Sequence, residues 1–317
     1  MLDFVTLGET MVMMNPDESG SLKYIFNFKK QLGGAESNVA IGLSRLGFKT
    51  GWISLLGADP HGEYIKAFIQ GEGVDTSQVK FTTAAPTGLF FKERREIGET
   101  KVYYYRKNSA FSTIKPEDLN EEYIAQSKYL HLTGITPALS DSCYQTVLRA
   151  IEIAKKYNVK ISFDPNLRLK LWKNKNHMKE VILNLIKEAD IVLPGLSEGQ
   201  IIFDTNNPEE IAKKILGFGE KIIAIKLGPE GSLIADSNSM KYVKGFKIER
   251  EVDPVGAGDG FAAGFLAGLL KGYDLSQSAL IGNAVGAFAV TVKGDVEGLP
   301  TMDELQIFMG EKEEIFR

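Results

Sequence analysis

An aspartate just behind a glycine-rich turn is the most chemically suggestive feature of this sequence. Residues 253–261 read Asp253-Pro254-Val255-Gly256-Ala257-Gly258-Asp259-Gly260-Phe261. The stretch that follows, through Leu270, is apolar, rich in Ala and Gly, and reads as a buried helix. A helix starting there would aim unpaired backbone N–H groups and its positive dipole end at residues 256–259, a setting that favours an anion. A phosphoryl group in flight needs such a cradle beside a base for the attacking hydroxyl. Asp259 stands where that base would be, with Gly256, Ala257 and Gly258 forming the cradle. Two rival phosphate turns fail on spacing. Phe261 occupies the place where a dinucleotide turn needs its third glycine, and no GxxxxGK run followed by Ser or Thr occurs. Taken alone, the segment also fits a loop whose glycines serve positive φ and whose Asp259 merely favours the helix dipole.

A second glycine motif, Gly33-Gly34-Ala35-Glu36-Ser37-Asn38-Val39-Ala40, stands far upstream, again at a predicted helix start. The pair resembles the PfkB/ribokinase family of sugar kinases. In that family an N-terminal Gly-Gly followed by Asn holds the sugar, and a Gly-Ala-Gly-Asp run supplies the anion hole and base. The resemblance extends from Gly8-Glu9 to Gly294-Asp295. It implies an α/β, ribokinase-like fold over residues 1–317, a mostly parallel sheet flanked by helices with a small β-sheet lid. It also implies ATP as phosphoryl donor, with Mg2+.

Carried over residue by residue, the resemblance assigns the sugar to Gly34, Ala35, Glu36, Ser37 and Asn38, with Asp295 near the same pocket. The stretch Tyr103 to Ala110 adds substrate contacts from the lid. Strand alternation puts Tyr104 and Arg106 on one face and Tyr103 and Tyr105 on the other, and Tyr104, Tyr105 and Arg106 are all expected sugar contacts. Phe90 stands where these kinases often carry Tyr, which removes one hydroxyl contact. Arg168, in Asp164-Pro165-Asn166-Leu167-Arg168, is a second guanidinium; two arginines converging on one pocket would select a carboxylate. The run His131 to Ser140 resembles the matching stretch in 2-keto-3-deoxygluconate kinases, so phosphorylation of the C6 hydroxyl of that sugar acid is the expected reaction. Fructokinases share the Asp-Pro-Asn-Leu-Arg and Leu-Trp pattern, which keeps fructose as the alternative. A non-catalytic sugar or nucleotide sensor is the reading from a different class.

On the nucleotide side, Lys226-Leu227-Gly228-Pro229-Glu230-Gly231-Ser232 resembles the family segment along the ATP phosphates and ribose. Lys226, Gly228, Gly231 and Ser232 are therefore expected ATP contacts, together with Asn166, Ser197 and Asn283. The family's Asn-x-x-Glu, whose acid organises magnesium through water, is matched to Ser197 and Gln200, so the acid is missing. Glu198 lies close by, but a helical stretch would point it elsewhere. Mg2+ is then held by ATP phosphates and water, with no protein ligand assigned.

These residues need a scaffold, and the chain has the material for one. With 44% hydrophobic and 25% charged residues, its 317 residues can bury a large core. A net charge of −4 argues against nucleic acid as partner, and no apolar run of about 18 residues or basic leader suggests a membrane or export, so the cytoplasm is expected. Cys143 is the single cysteine and reads as a buried apolar residue, while His61, His131 and His177 are too scattered for a zinc site or a serine triad. Apolar strands alternate with amphipathic helices along most of the chain, including helices predicted at 257–270 and 276–292. Residues 10–30 and 87–108 break that alternation and read as lid strands, the second as a hairpin turning around Ile97-Gly98-Glu99. Exposed lid edges point to a homodimer that covers them.

Overall fold

The computed structural model describes residues 1–94 and 100–313, so the turn expected around residues 97–99 lies outside the described residues. The chain opens with β1 (Leu2–Leu7), β2 (Met11–Pro16), β3 (Phe28–Gly33), α1 (Ala35–Arg45), β4 (Thr50–Gly57), α2 (Pro60–Gly71), β5 (Val79–Thr82), β6 (Leu89–Glu93) and β7 (Lys101–Tyr105). It continues through α3 (Glu121–Ala125), β8 (Ser127–Thr133), α4 (Asp141–Lys156), β9 (Lys160–Asp164), α5 (Lys175–Glu188), β10 (Ile191–Val192), α6 (Leu196–Phe203) and α7 (Pro208–Leu216). The last third holds β11 (Ile222–Lys226), β12 (Gly231–Ala235), β13 (Met240–Lys244), α8 (Ala257–Leu270), α9 (Leu275–Ala289) and α10 (Met302–Phe308).

Nine strands form the main sheet in the order β13-β12-β11-β10-β9-β8-β1-β4-β5. Pairing is parallel from β5 across to β11 and antiparallel only where β12 and β13 are added. This is the α/β, mostly parallel architecture expected. Apolar runs such as Phe4-Val5 and Trp52-Ile53 arise because a covered sheet buries both faces. Val5, Leu7, Ile53 and Leu55 enter one core layer, while Phe4, Trp52 and Leu56 enter the other. Cys143 is buried in the first layer, as its composition suggested. Helix α8 is apolar on every side because it packs within the second layer against α1 and α9, so its sequence has no polar stripe.

The second sheet has four strands in the order β3-β2-β6-β7. The segment expected at 10–30 resolves into β2 and β3, and the one at 87–108 into β6 and β7. β2 pairs antiparallel with β3 and parallel with β6, which joins the two segments into one layer. Only Gly8, Glu9 and Thr10 separate β1 of the main sheet from β2 of the small one, and β3 runs directly into the start of α1. The small sheet is thus tied to the ends of the main strands where the sequence motifs cluster.

Candidate active site

Gly256 shapes the cradle. Its φ is +88°, and a Cβ there would stand 2.4 Å from the carbonyl oxygen of Asp295, so only glycine fits both the turn and the space. The first i→i−4 bond of α8 runs from the N–H of Gly260 to the carbonyl of Gly256 at 2.8 Å. The N–H groups of Gly258 and Asp259 lie ahead of it and have no helical partner, whereas that of Ala257 leans on the Pro254 carbonyl at 3.4 Å. Asp259, in the first turn, is 9% exposed. Its carboxylate accepts from Asn38 Nδ2 at 2.8 Å and from Asn166 Nδ2 at 3.4 Å. The two glycine motifs therefore meet in one contact. Burial pushes Asp259 up to about 7, against the pull of the Asn38 donor; Asp164 adds to the rise, and Arg168 and Lys226 oppose it.

Beside the cradle, strand ends bring together groups of opposite charge. Lys226 closes β11, and its Nζ is 2.5 Å from Asp164 Oδ2 at the end of β9. It is also 3.6 Å from the point a Cβ on Gly258 would occupy, so the ammonium borders the open N–H groups. Burial alone would lower this lysine, but Asp164 and Glu198 together hold it above its ordinary value. Glu198 accepts from the N–H of Leu167 at 2.6 Å and of Gly195 at 2.7 Å, and burial, with Asp164 nearby, pushes its carboxyl up. This corrects the sequence reading of that stretch. Because α6 starts at Leu196, Glu198 is its third residue and folds back over the helix start into the cluster, whereas Ser197 and Gln200 are exposed.

Other expected nucleotide residues divide. Gly228 and Gly231 lie in the β11–β12 hairpin, and nothing stands within 4 Å of a Cβ position on Gly228, which leaves that turn open to a ligand. Ser232 is fully buried within β12 and does not face the open turn's solvent side. Asn283 donates to the carbonyls of Val243 at 3.1 Å and Lys244 at 3.2 Å, so its amide braces α9 against β13. Asn166 departs furthest from expectation: its amide points to the Asp259 carboxylate.

On the opposite side, Gly34 caps α1, and a Cβ on it would stand 2.5 Å from the Glu9 carbonyl. Ser37 accepts from Thr10 Oγ1 at 2.7 Å, and Ala35 is buried beside it in the same turn. Glu36 turns to the end of β8, accepting from Thr133 at 2.6 Å and Thr136 at 3.0 Å. Burial pushes its carboxyl up, while the two threonines and Arg106 pull it back. Phe90 and Tyr104 pack with their rings tilted at 41° and 5.6 Å between centroids, and the Arg106 guanidinium lies 5.6 Å from the Tyr104 ring. Tyr104 and Arg106 thus lie together as alternation predicted, with Phe90 against Tyr104.

Arg106 is nevertheless not a free cation. β7 ends at Tyr105, and Arg106 swings to Glu9, its Nε at 2.8 Å and Nη2 at 2.5 Å from Glu9 Oε2. The expected pair of converging arginines is instead one buried and paired, Arg106, and one exposed, Arg168. Tyr105 lies on the opposite face against Phe91 and is 66% exposed. Asp295 is held by Lys92 Nζ at 2.8 Å. Glu9 and Lys92 carried signals that could have been read: an acid two residues past the end of β1, and a lysine two positions after Phe90 in an apolar strand.

Comparison with known proteins places the chain among carbohydrate kinases. The profile described as pfkB family carbohydrate kinase matches residues 1–302. A 2-dehydro-3-deoxygluconokinase of Bacillus subtilis is 41% identical over 309 residues, 97% of this chain and 95% of that protein. A 5-dehydro-2-deoxygluconokinase of Clostridium botulinum is 34% identical over 320 residues, 98% of this chain and 94% of that protein. Among solved structures, a putative ribokinase II from E. coli in complex with ATP and Mg2+ superposes with a TM-score of 0.90 at 26% identity, covering 98% of this chain and 100% of the other.

Proposed function

This chain belongs to the pfkB family of carbohydrate kinases, and on that premise we propose that it transfers the γ-phosphoryl group of ATP to the C6 hydroxyl of 2-keto-3-deoxygluconate, with Asp259 as the base. The observation that carries this reading is the Asn38–Asp259 contact at the start of α8. It sets a buried carboxylate with a pKa of about 7 beside unpaired N–H groups. The sugar hydroxyl gives its proton to Asp259, its oxygen bonds to the γ-phosphorus, and the bond from that phosphorus to the bridging oxygen breaks as ADP leaves. Charge on the transferring group meets the N–H groups of Gly258 and Asp259 and the Lys226 ammonium, each good donor contributing about 3–4 kcal/mol in comparable anion holes.

The residues present fit Mg2+-ATP. The Gly228 turn is open, and the carboxylates of Asp164 and Glu198 border the lysine that faces the cradle. Asp164 and Glu198 would hold Mg2+ through water, and the bound ion would neutralise phosphate charge. Gly228, Gly231 and Lys226 are the proposed nucleotide contacts.

Two features support a sugar acid: the B. subtilis and C. botulinum relatives are both named for deoxygluconates, and Arg168 is an exposed guanidinium whose charge reaches Asp259. Fructose is the second reading, favoured by the pairing of Arg106 with Glu9, which removes one of the two expected carboxylate partners. The small sheet serves as the lid over the sugar, and its outer strand joins two copies of the chain. ATP consumption measured with 2-keto-3-deoxygluconate, its galacto epimer, 5-keto-2-deoxygluconate, fructose, ribose and a nucleoside separates these readings. The first should lead in kcat/KM, with phosphorus NMR locating the ester at C6. A lead for fructose would overturn the sugar-acid assignment.

A further inference from the structure

Lys92 is a buried cation that phosphoryl transfer, as described, does not use. It sits in β6 of the small sheet at 1% exposure, yet its Nζ reaches 2.8 Å from Asp295 Oδ1 and 3.3 Å from Asp253 Oδ2. Those two carboxylates bracket the cradle. Asp253 opens the turn and accepts from the N–H of Val255 at 3.3 Å and of Gly294 at 3.4 Å. Asp295 supplies the carbonyl against which Gly256 packs. No other ion pair to Asp253 or Asp295 occurs among the described residues, although Arg168 contributes charge at Asp295 from further away.

A buried ion pair is a poor stabiliser, because desolvating the charges offsets most of their attraction; an apolar side chain would hold the two layers together as well. What a lysine adds is a fixed distance. One ammonium on the lid sets the separation of two chain segments between which the phosphoryl cradle is formed, and a shift of the lid by a few ångströms would remove it from both. Phe90, two residues earlier on the same face of β6, packs against Gly33 beside the Asp295 carboxylate, so sugar-side packing and cradle-side charge leave the lid together.

We infer that Lys92 is a positioning residue that couples seating of the lid over the sugar to the geometry of the phosphoryl cradle, a role that rests on the kinase reading above. Hydrogen exchange on the wild-type protein tests it directly, with 2-keto-3-deoxygluconate as the probe. The sugar should slow exchange in residues 89–93 and, together with them, in 252–256 and 293–296. Protection of the lid without protection of the turn overturns the inference. No protection anywhere would instead count against the substrate assignment. The free-enzyme comparison with variants then still decides the coupling. In Lys92→Met, exchange of 252–256 should rise about tenfold while β8 and α4 are unchanged. Its kcat should fall roughly 10- to 100-fold, with KM for ATP changed far less. Lys92→Gln, which retains a donor for Asp295, provides the same reading if the methionine variant does not fold. Exchange that rises evenly through the core, or a turn as protected as in the wild type, would leave Lys92 with a packing role only.

Discussion

Asp259 keeps its proton to a pH at which an exposed aspartate would have lost it, and this sets opposite demands on activity and stability. A base must be deprotonated, so kcat/KM should climb with pH through about 7, the value burial gives this carboxyl. The folded pKa lies above the ordinary 3.8, so the native state binds the extra proton. This group's contribution to stability is therefore complete below about 3.8 and is lost as pH rises through about 7. Asp259→Asn should lower kcat about 10²- to 10⁴-fold, with a Tm equal to or above wild type at pH 8. Near-normal turnover in that variant would remove Asp259 from its role. The two arginines separate in the same way. Arg168→Ala should raise KM for a sugar acid roughly tenfold or more, through loss of a charge-assisted hydrogen bond, with little change for fructose and little in Tm. Arg106→Ala leaves Glu9 buried and unpaired, which costs about 3–5 kcal/mol of stability whatever the substrate. Asp259 and Asn38 were legible in the sequence because each sits inside a short local motif. The commitments of Arg106 to Glu9 and of Asp295 to Lys92 were not, because each depends on a partner about 100 or more positions away.

At the scale of elements, helix starts decide which side chains face the chemistry. The 257–270 helix was readable to the residue, since a glycine turn followed by an unbroken apolar run leaves one place to begin. α6 shows the converse. Starting it at Leu196 makes Glu198 the third residue, whose carboxylate folds back onto the N–H groups of Gly195 and Leu167, so the expectation that Glu198 would point elsewhere was overturned. Second-helix ends were blurrier: α9 stops at Ala289 rather than at 292. Gly256→Ala tests the cradle as an element. It places a Cβ at φ +88° and 2.4 Å from the Asp295 carbonyl. Destabilisation should exceed about 1 kcal/mol. Measured well below its Tm, kcat should still be depressed, because the N–H groups of Gly258 and Asp259 are re-aimed. A variant that loses stability alone would separate the cradle from catalysis.

For the whole molecule, the alternation of strands and helices gave the main sheet, while the pairing of β2 with β6, parallel and more than 70 residues apart, has no local signature. The edge strand β7 leaves Tyr103 and Tyr105 largely exposed, at 42% and 66%. Light scattering coupled to size exclusion should report a dimer, and Tyr105→Glu should shift it to monomer without lowering Tm; a wild-type monomer at micromolar concentration would count against lid pairing. One contact described above also bears on how the molecule comes into being. The hydrogen bond from Asn38 to Asp259 joins positions 221 residues apart. During synthesis at about 5–20 residues per second, Asn38 leaves the ribosome many seconds before its partner exists. A nascent chain thus carries Asn38 long before the carboxylate proposed as base, and on that proposal phosphoryl transfer begins only once residues 257–270 have folded against α1.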